Sequence, residues 1–111
     1  MKRAAYIQLE QIPNVGPAIA GDLRRIGIET PGDLRGKDPY ALYAELCRRT
    51  GVRHDPCVID VFIASIRFME GTPAQPWWSY TEERKRTLSR GSTTVLPTRR
   101  RPGSRARSPQ P

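Results

Sequence analysis

The sequence predicts an all-α protein: a compact bundle of four to five short helices over residues 1–86, with a disordered basic Ser/Pro/Arg-rich tail over residues 87–111. Three observations carry that reading. Apolar residues recur at the three- and four-residue spacing of a helix face. Helix-start signals recur along the chain, as Pro17, Thr30-Pro31, Asp38-Pro39 and Asp55-Pro56. No stretch alternates apolar and polar residues as a half-buried strand does.

Taken in order, Leu9 and Ile12 close a short first helix, which Pro13 forbids from continuing because proline lacks an N–H and clashes with the preceding turn. Asn14 is the commonest non-glycine choice where φ must be positive, and Gly16 permits close approach of another backbone. Pro17 opens a second helix whose face is Ile19, Leu23 and Ile26 and which stops at Gly27. Thr30 with Asp33 forms a capping box around Pro31 and starts a short third turn. Asp38-Pro39 starts a helix running to about Arg49, with Leu42, Leu46 and Cys47 inward. Asp55-Pro56 starts another to about Glu70, with Cys57, Val58, Val61, Phe62 and Ile66 inward. Beyond it, Trp77, Trp78 and Tyr80 either strap the chain end across a small core or stack on exposed bases.

A chain of 111 residues supports one core and not two. It has no bilayer-length apolar run and no secretory signal at its start, so a bacterial cytosol is the expected compartment, with no membrane partner. Two cysteines do not make a disulfide framework, and Cys47 and Cys57 read as thiols. The net charge of +8 is unevenly placed. Residues 1–80 hold ten Lys/Arg against nine Asp/Glu, and residues 81–111 hold nine against two. Bulk basicity is therefore a property of the tail, where Arg84-Lys85-Arg86 and Arg99-Arg100-Arg101 attract polyanions by counterion release.

The turn "PNVGP" aims the amides of Gly16, Ala18 and Ile19 outward from a helix N-terminus, at the positive end of the helix dipole. Such an array suits a phosphate. Turn chemistry alone leaves a plain helix–helix corner equally open.

"LEQIPNVGPAIAGDLRRIGI" resembles the helix-hairpin-helix motif of DNA repair and recombination proteins, and implies a SAM-like fold. The resemblance implies minor-groove phosphate binding by the amides of Asn14, Gly16, Ala18 and Ile19, with Val15 in the same hairpin, and a monovalent cation on the carbonyls of Glu10, Ile12 and Val15. Asn14 stands where the motif has its first glycine, and Ala18 where it often has a basic residue, a loss that Arg24 and Arg25 either offset or, on an exposed helix face, leave standing as simply solvated charges. The segments "DLRGKDPYALYAELCRRTGVRHDPCVIDVFIASIRFME" and "PWWSYTEERKR" are similar to the small bacterial pathogenicity-locus family, some of whose members bear the name mitomycin resistance protein.

Cys47, His54 and Cys57 are the candidate metal ligands, but C-x6-H-x2-C matches no zinc pattern, so no metal and no cofactor beyond the cation is expected. Cys57 at a helix start is also a candidate reactive thiol. Asp60 and His54 are the nearest acid–base residues, no nucleophile is paired with a base, and no catalytic residue is assigned. The expected function is non-sequence-specific DNA binding in repair, recombination or damage tolerance, through Asn14, Val15, Gly16, Ala18, Ile19, Arg24, Arg25, Arg84, Lys85 and Arg86. The alternatives are a protein–protein adaptor or homodimer with a structural hairpin, and a thiol- or metal-dependent enzyme.

Overall fold

Four α-helices carry the fold in the computed structural model, which describes residues 6–90: α1 (Pro17–Arg25), α2 (Pro39–Thr50), α3 (Cys57–Met69) and α4 (Thr81–Ser89). Single 3₁₀ turns at Leu9–Gln11, Pro31–Leu34 and Trp77–Tyr80 connect or precede them, and no strand occurs among the described residues. The chain is all-α. The first expected helix is only a 3₁₀ turn, held by the Gln11 side chain, whose Oε1 accepts the amides of Ile7 and Gln8. Helix α4 continues to Ser89, past the boundary expected at Arg86, and Leu88 packs against the core. The rest of the expected tail, residues 91–111, lies outside the described residues.

Helix α3 is the centre of the bundle. Its sequence is apolar almost all round, which only a helix enclosed by its neighbours tolerates. Ile59, Phe62, Ile63, Ile66, Phe68 and Met69 are buried, with α2, α4 and two of the 3₁₀ turns packed around them. Cys57 and Val58, expected inward, are only half-buried, with Val58 packed at the edge of the core, while Ile59 and Asp60 in the same turn are fully buried. Helix α2 offers Leu42, Tyr43, Leu46 and Cys47, and α1 offers Ala20 and Leu23. Ile19 stays partly exposed at the edge of the core.

The helix ends behave as their residues dictate. Asp38 Oδ1 caps α2 by accepting the Tyr40 amide at 2.8 Å, and Asp55 Oδ1 accepts the Cys57 amide at 2.8 Å at the start of α3. Asp33 Oδ2 accepts the amides of Glu29 and Thr30, which holds its carboxyl below the usual range. Gly27 ends α1 with φ of 92°, and paired bonds from Ile28 to Leu23 and from Gly27 to Arg24 close a Schellman motif.

One polar cluster lies inside. Asp60 on α3 is fully buried, and its carboxylate accepts from Arg84 Nε at 2.9 Å, Arg84 Nη2 at 3.3 Å and the Thr81 hydroxyl at 2.7 Å. The Arg84 side chain is itself 11% exposed. An ion pair thus pins α4 to α3. Arg67 adds a second link, pairing with Glu83 and lying over the Tyr80 ring at 5.6 Å.

Candidate functional site

Residues 12–16 turn the chain between the first 3₁₀ turn and α1. The Val15 amide donates to the Ile12 carbonyl at 3.1 Å, closing a four-residue turn with Pro13 second and Asn14 third. Asn14 has φ of 75°, and no other non-glycine residue among those described has a positive φ. Proline second and a positive φ third are the requirements of a type II turn, so "IPNV" supplies the residue types that turn demands. The asparagine also has a task glycine cannot perform: its Nδ2 donates to the Gln75 carbonyl at 2.7 Å, 61 residues away. That bond ties the turn to the segment leading into the two tryptophans.

Past the turn, Gly16, Pro17 and Ala18 are exposed. Gly16 is the N-cap of α1, with φ of −95°, and it places no side-chain acceptor over the first turn. The first amide of α1 with a helical partner is that of Ala20, bonded to the Gly16 carbonyl at 2.9 Å. The amides of Asn14, Gly16, Ala18 and Ile19 have no acceptor among the described residues. No acidic residue stands in the first turn of α1, whereas α3 has Asp60 there and α4 has Glu82 and Glu83. A Cβ built on Gly16 meets nothing within 4 Å. The fold itself gives no reason for glycine at this position, since serine or aspartate would cap the helix better.

The structure divides the remaining expected site residues. The Val15 side chain is buried and its amide is used within the turn. The Ile12 carbonyl, one of three assigned to a monovalent cation with those of Glu10 and Val15, accepts that amide and keeps one lone pair. Arg24 is bidentate to Glu10, at 3.0 and 3.2 Å, which holds the Glu10 carboxyl below its ordinary range. Its charge is already matched. Arg25 is exposed but lies at the far end of α1, about 12 Å along the axis from Pro17. Arg84 belongs to the buried pair with Asp60, and Lys85 and Arg86 are exposed on α4. Asp60 is held by that pair and is in no position for acid–base work.

Cys47, His54 and Cys57 are not assembled into a metal site, and no group of three potential ligands converges among the described residues. Cys47 is buried and its Sγ accepts the His54 amide, while the His54 ring meets the Thr50 hydroxyl at 2.9 Å. The His54 carbonyl accepts from the Tyr43 hydroxyl, whose pKa burial pushes up to about 12. The Asp55 carboxylate beside Cys57 pushes the pKa of its thiol up, the opposite of what an activated thiol needs.

Of the aromatic trio, Tyr80 is buried, Trp77 is half-buried and Trp78 is 63% exposed. The Asn14–Gln75 bond leaves no trace in the sequence, because a backbone carbonyl has no residue signature. The sequence did carry a sign of the Asp60–Arg84 pair, since a lone carboxylate inside "CVIDVFIASI" must find a cation.

A family model described as Cdd1, pathogenicity locus, matches residues 2–86. The chain is 43% identical over 81 residues to the mitomycin resistance protein McrB of Streptomyces lavendulae, an alignment covering 73% of this chain and 77% of that protein. No solved structure matches. Among the described residues no helix is long and apolar enough to cross a membrane.

Proposed function

Starting from the fact that the chain belongs to the Cdd1 pathogenicity-locus family, we propose that it binds DNA without sequence specificity, gripping backbone phosphates through the amides of Asn14, Gly16, Ala18 and Ile19. In this reading the turn at residues 12–16 is the hairpin of a helix-hairpin-helix motif, with the Leu9–Gln11 turn as a shortened first arm.

One observation carries the reading. The N-terminus of α1 has no capping side chain, no acid in its first turn and a glycine with open space around it, so its amides are left for an external acceptor. Phosphate is the ligand such an array favours, through the helix dipole and several N–H groups at once. It also explains how a nearly neutral domain holds a polyanion. Lys85, Arg86 and the arginines of residues 99–107 add a salt-dependent attraction that keeps the duplex near. The resistance phenotype in the Streptomyces relative's name supports a setting in damage tolerance.

The test is equilibrium DNA binding by the full chain carrying Arg99→Gln, Arg100→Gln and Arg101→Gln, with and without Gly16→Asp. An aspartate there occupies the free amides and brings a negative charge to the site. Affinity is expected to fall at least tenfold with the helix intact, since several charge-assisted bonds are lost. The slope of log affinity against log salt should change by about one unit at most, because neutral amides displace no DNA counterions and only the added carboxylate alters the charge count, whereas the three tail substitutions should flatten it further. Equal binding with and without Gly16→Asp, or no binding by either at low salt, defeats the proposal.

A further inference from the structure

We infer that Trp78 is a stacking platform for an unpaired or terminal base of the DNA held at the hairpin, so that the preferred ligand is DNA with a single-stranded segment. The inference rests on the hairpin reading above and adds the substrate's form to it.

Trp78 is one of three large hydrophobic side chains left exposed among the described residues, with Ile7 and Val52. Single exposed apolar residues are ordinary, and it is placement that distinguishes this one. Trp78 sits three residues after Gln75, whose carbonyl is bound by Asn14 at 2.7 Å. The extended chain spans no more than about 11 Å over that interval, which keeps the backbone of Trp78 close to the segment that Asn14 binds. Three residues further along the chain α4 begins at Thr81 and carries the exposed Lys85 and Arg86, with Glu82 as an exposed acid in its first turn. Glu83 is taken up by Arg67, and Arg84 by Asp60.

The indole is also held in place. Trp77 meets it edge to face, with centroids 5.6 Å apart and planes at 83°, and Tyr80 in the same turn is buried. A T-shaped contact uses at most one face of a ring, so Trp78 keeps a π-face open. Phosphate-binding amides, exposed cations and an open aromatic face, carried on segments linked by the Asn14–Gln75 bond and by the start of α4, are the parts of a single-strand site. In a duplex the base faces are already stacked, so this face is satisfied only by a base that is unpaired, at an end or displaced.

The experiment uses the full chain in three forms, native, Trp78→Ala and Trp78→Phe, titrated with single-stranded oligothymidylate, with a blunt duplex and with the same duplex bearing a thymidine overhang. In a Trp77→Phe background the remaining tryptophan reports stacking directly. Quenching of that fluorescence by the single strand and the overhang, an affinity loss of about tenfold or more in Trp78→Ala, and recovery of most of it in Trp78→Phe support the inference. Circular dichroism checks that the exposed substitution leaves the helices unchanged. No quenching and equal affinities in all three forms overturn it. If Gly16→Asp still abolishes binding in that case, the hairpin reading stands without it. If Trp78→Ala instead weakens self-association measured by sedimentation, with DNA binding unchanged, the surface is a protein interface and the inference fails.

Discussion

Replacing Arg84 with alanine should cost this protein stability rather than a DNA contact. The Asp60 carboxylate that Arg84 pairs with is fully buried and keeps only the Thr81 hydroxyl once the guanidinium is gone. Removing one member of a buried, hydrogen-bonded ion pair costs about 3–5 kcal/mol. A folded unit the size of residues 6–90 has a total stability of about 4–13 kcal/mol, so the variant loses a large share of it and at the low end unfolds. Urea denaturation followed by circular dichroism measures the loss as a shift in midpoint at unchanged slope. The double variant Asp60→Leu with Arg84→Met separates the causes. It removes both charges and keeps apolar volume, and its stability should return to within about 2 kcal/mol of the native protein. A loss below about 1 kcal/mol for Arg84→Ala would refute this account of how α4 is fixed, and a parallel drop in DNA affinity without a change in stability would return Arg84 to the surface role its sequence suggests.

Three further outcomes are expected. Asn14→Ala should destabilise more than Asn14→Gly by about 1 kcal/mol, since both lose the bond to Gln75 but only alanine is strained at φ of 75°, and equal losses in thermal denaturation would contradict this. Glu10, Asp33, Glu45 and Asp55 are all held below their ordinary pKa by arginine partners or backbone amides. Groups depressed in the folded state give stability that is present above their unfolded pKa of about 4 and lost as pH falls through the folded values, so the melting temperature should be flat from about pH 7 to 5 and fall below about pH 4. Cys57 should react slowly with a disulfide reagent at neutral pH and faster after Asp55→Asn, which removes the carboxylate raising its pKa, and a fast native rate would argue against that cause.

By itself the sequence determined the helical class and most element boundaries, because caps and punctuation are local chemistry. Asp38-Pro39, Thr30 with Asp33, and Gly27 specify starts and stops through bonds within a few residues, and the "PNVGP" turn is legible for the same reason. Its spacing also placed Leu42, Leu46, Phe62 and Ile66 in the core. What periodicity does not encode is which elements enclose which. That α3 is surrounded, so that Ile59, Ile63 and Asp60 are buried along with the expected face, follows from the packing of α2, α4 and the 3₁₀ turns around it. The charges were sorted by the same packing. Arg24, Arg84 and Lys85 look alike in a sequence, yet one is matched by Glu10, one neutralises a buried carboxylate and one remains exposed. Tertiary structure alone decided that Asn14 reaches Gln75 across 61 residues and so ties the hairpin to the segment before the tryptophans, because a bond between a side chain and a distant carbonyl depends on how the chain returns and not on what residue it returns with.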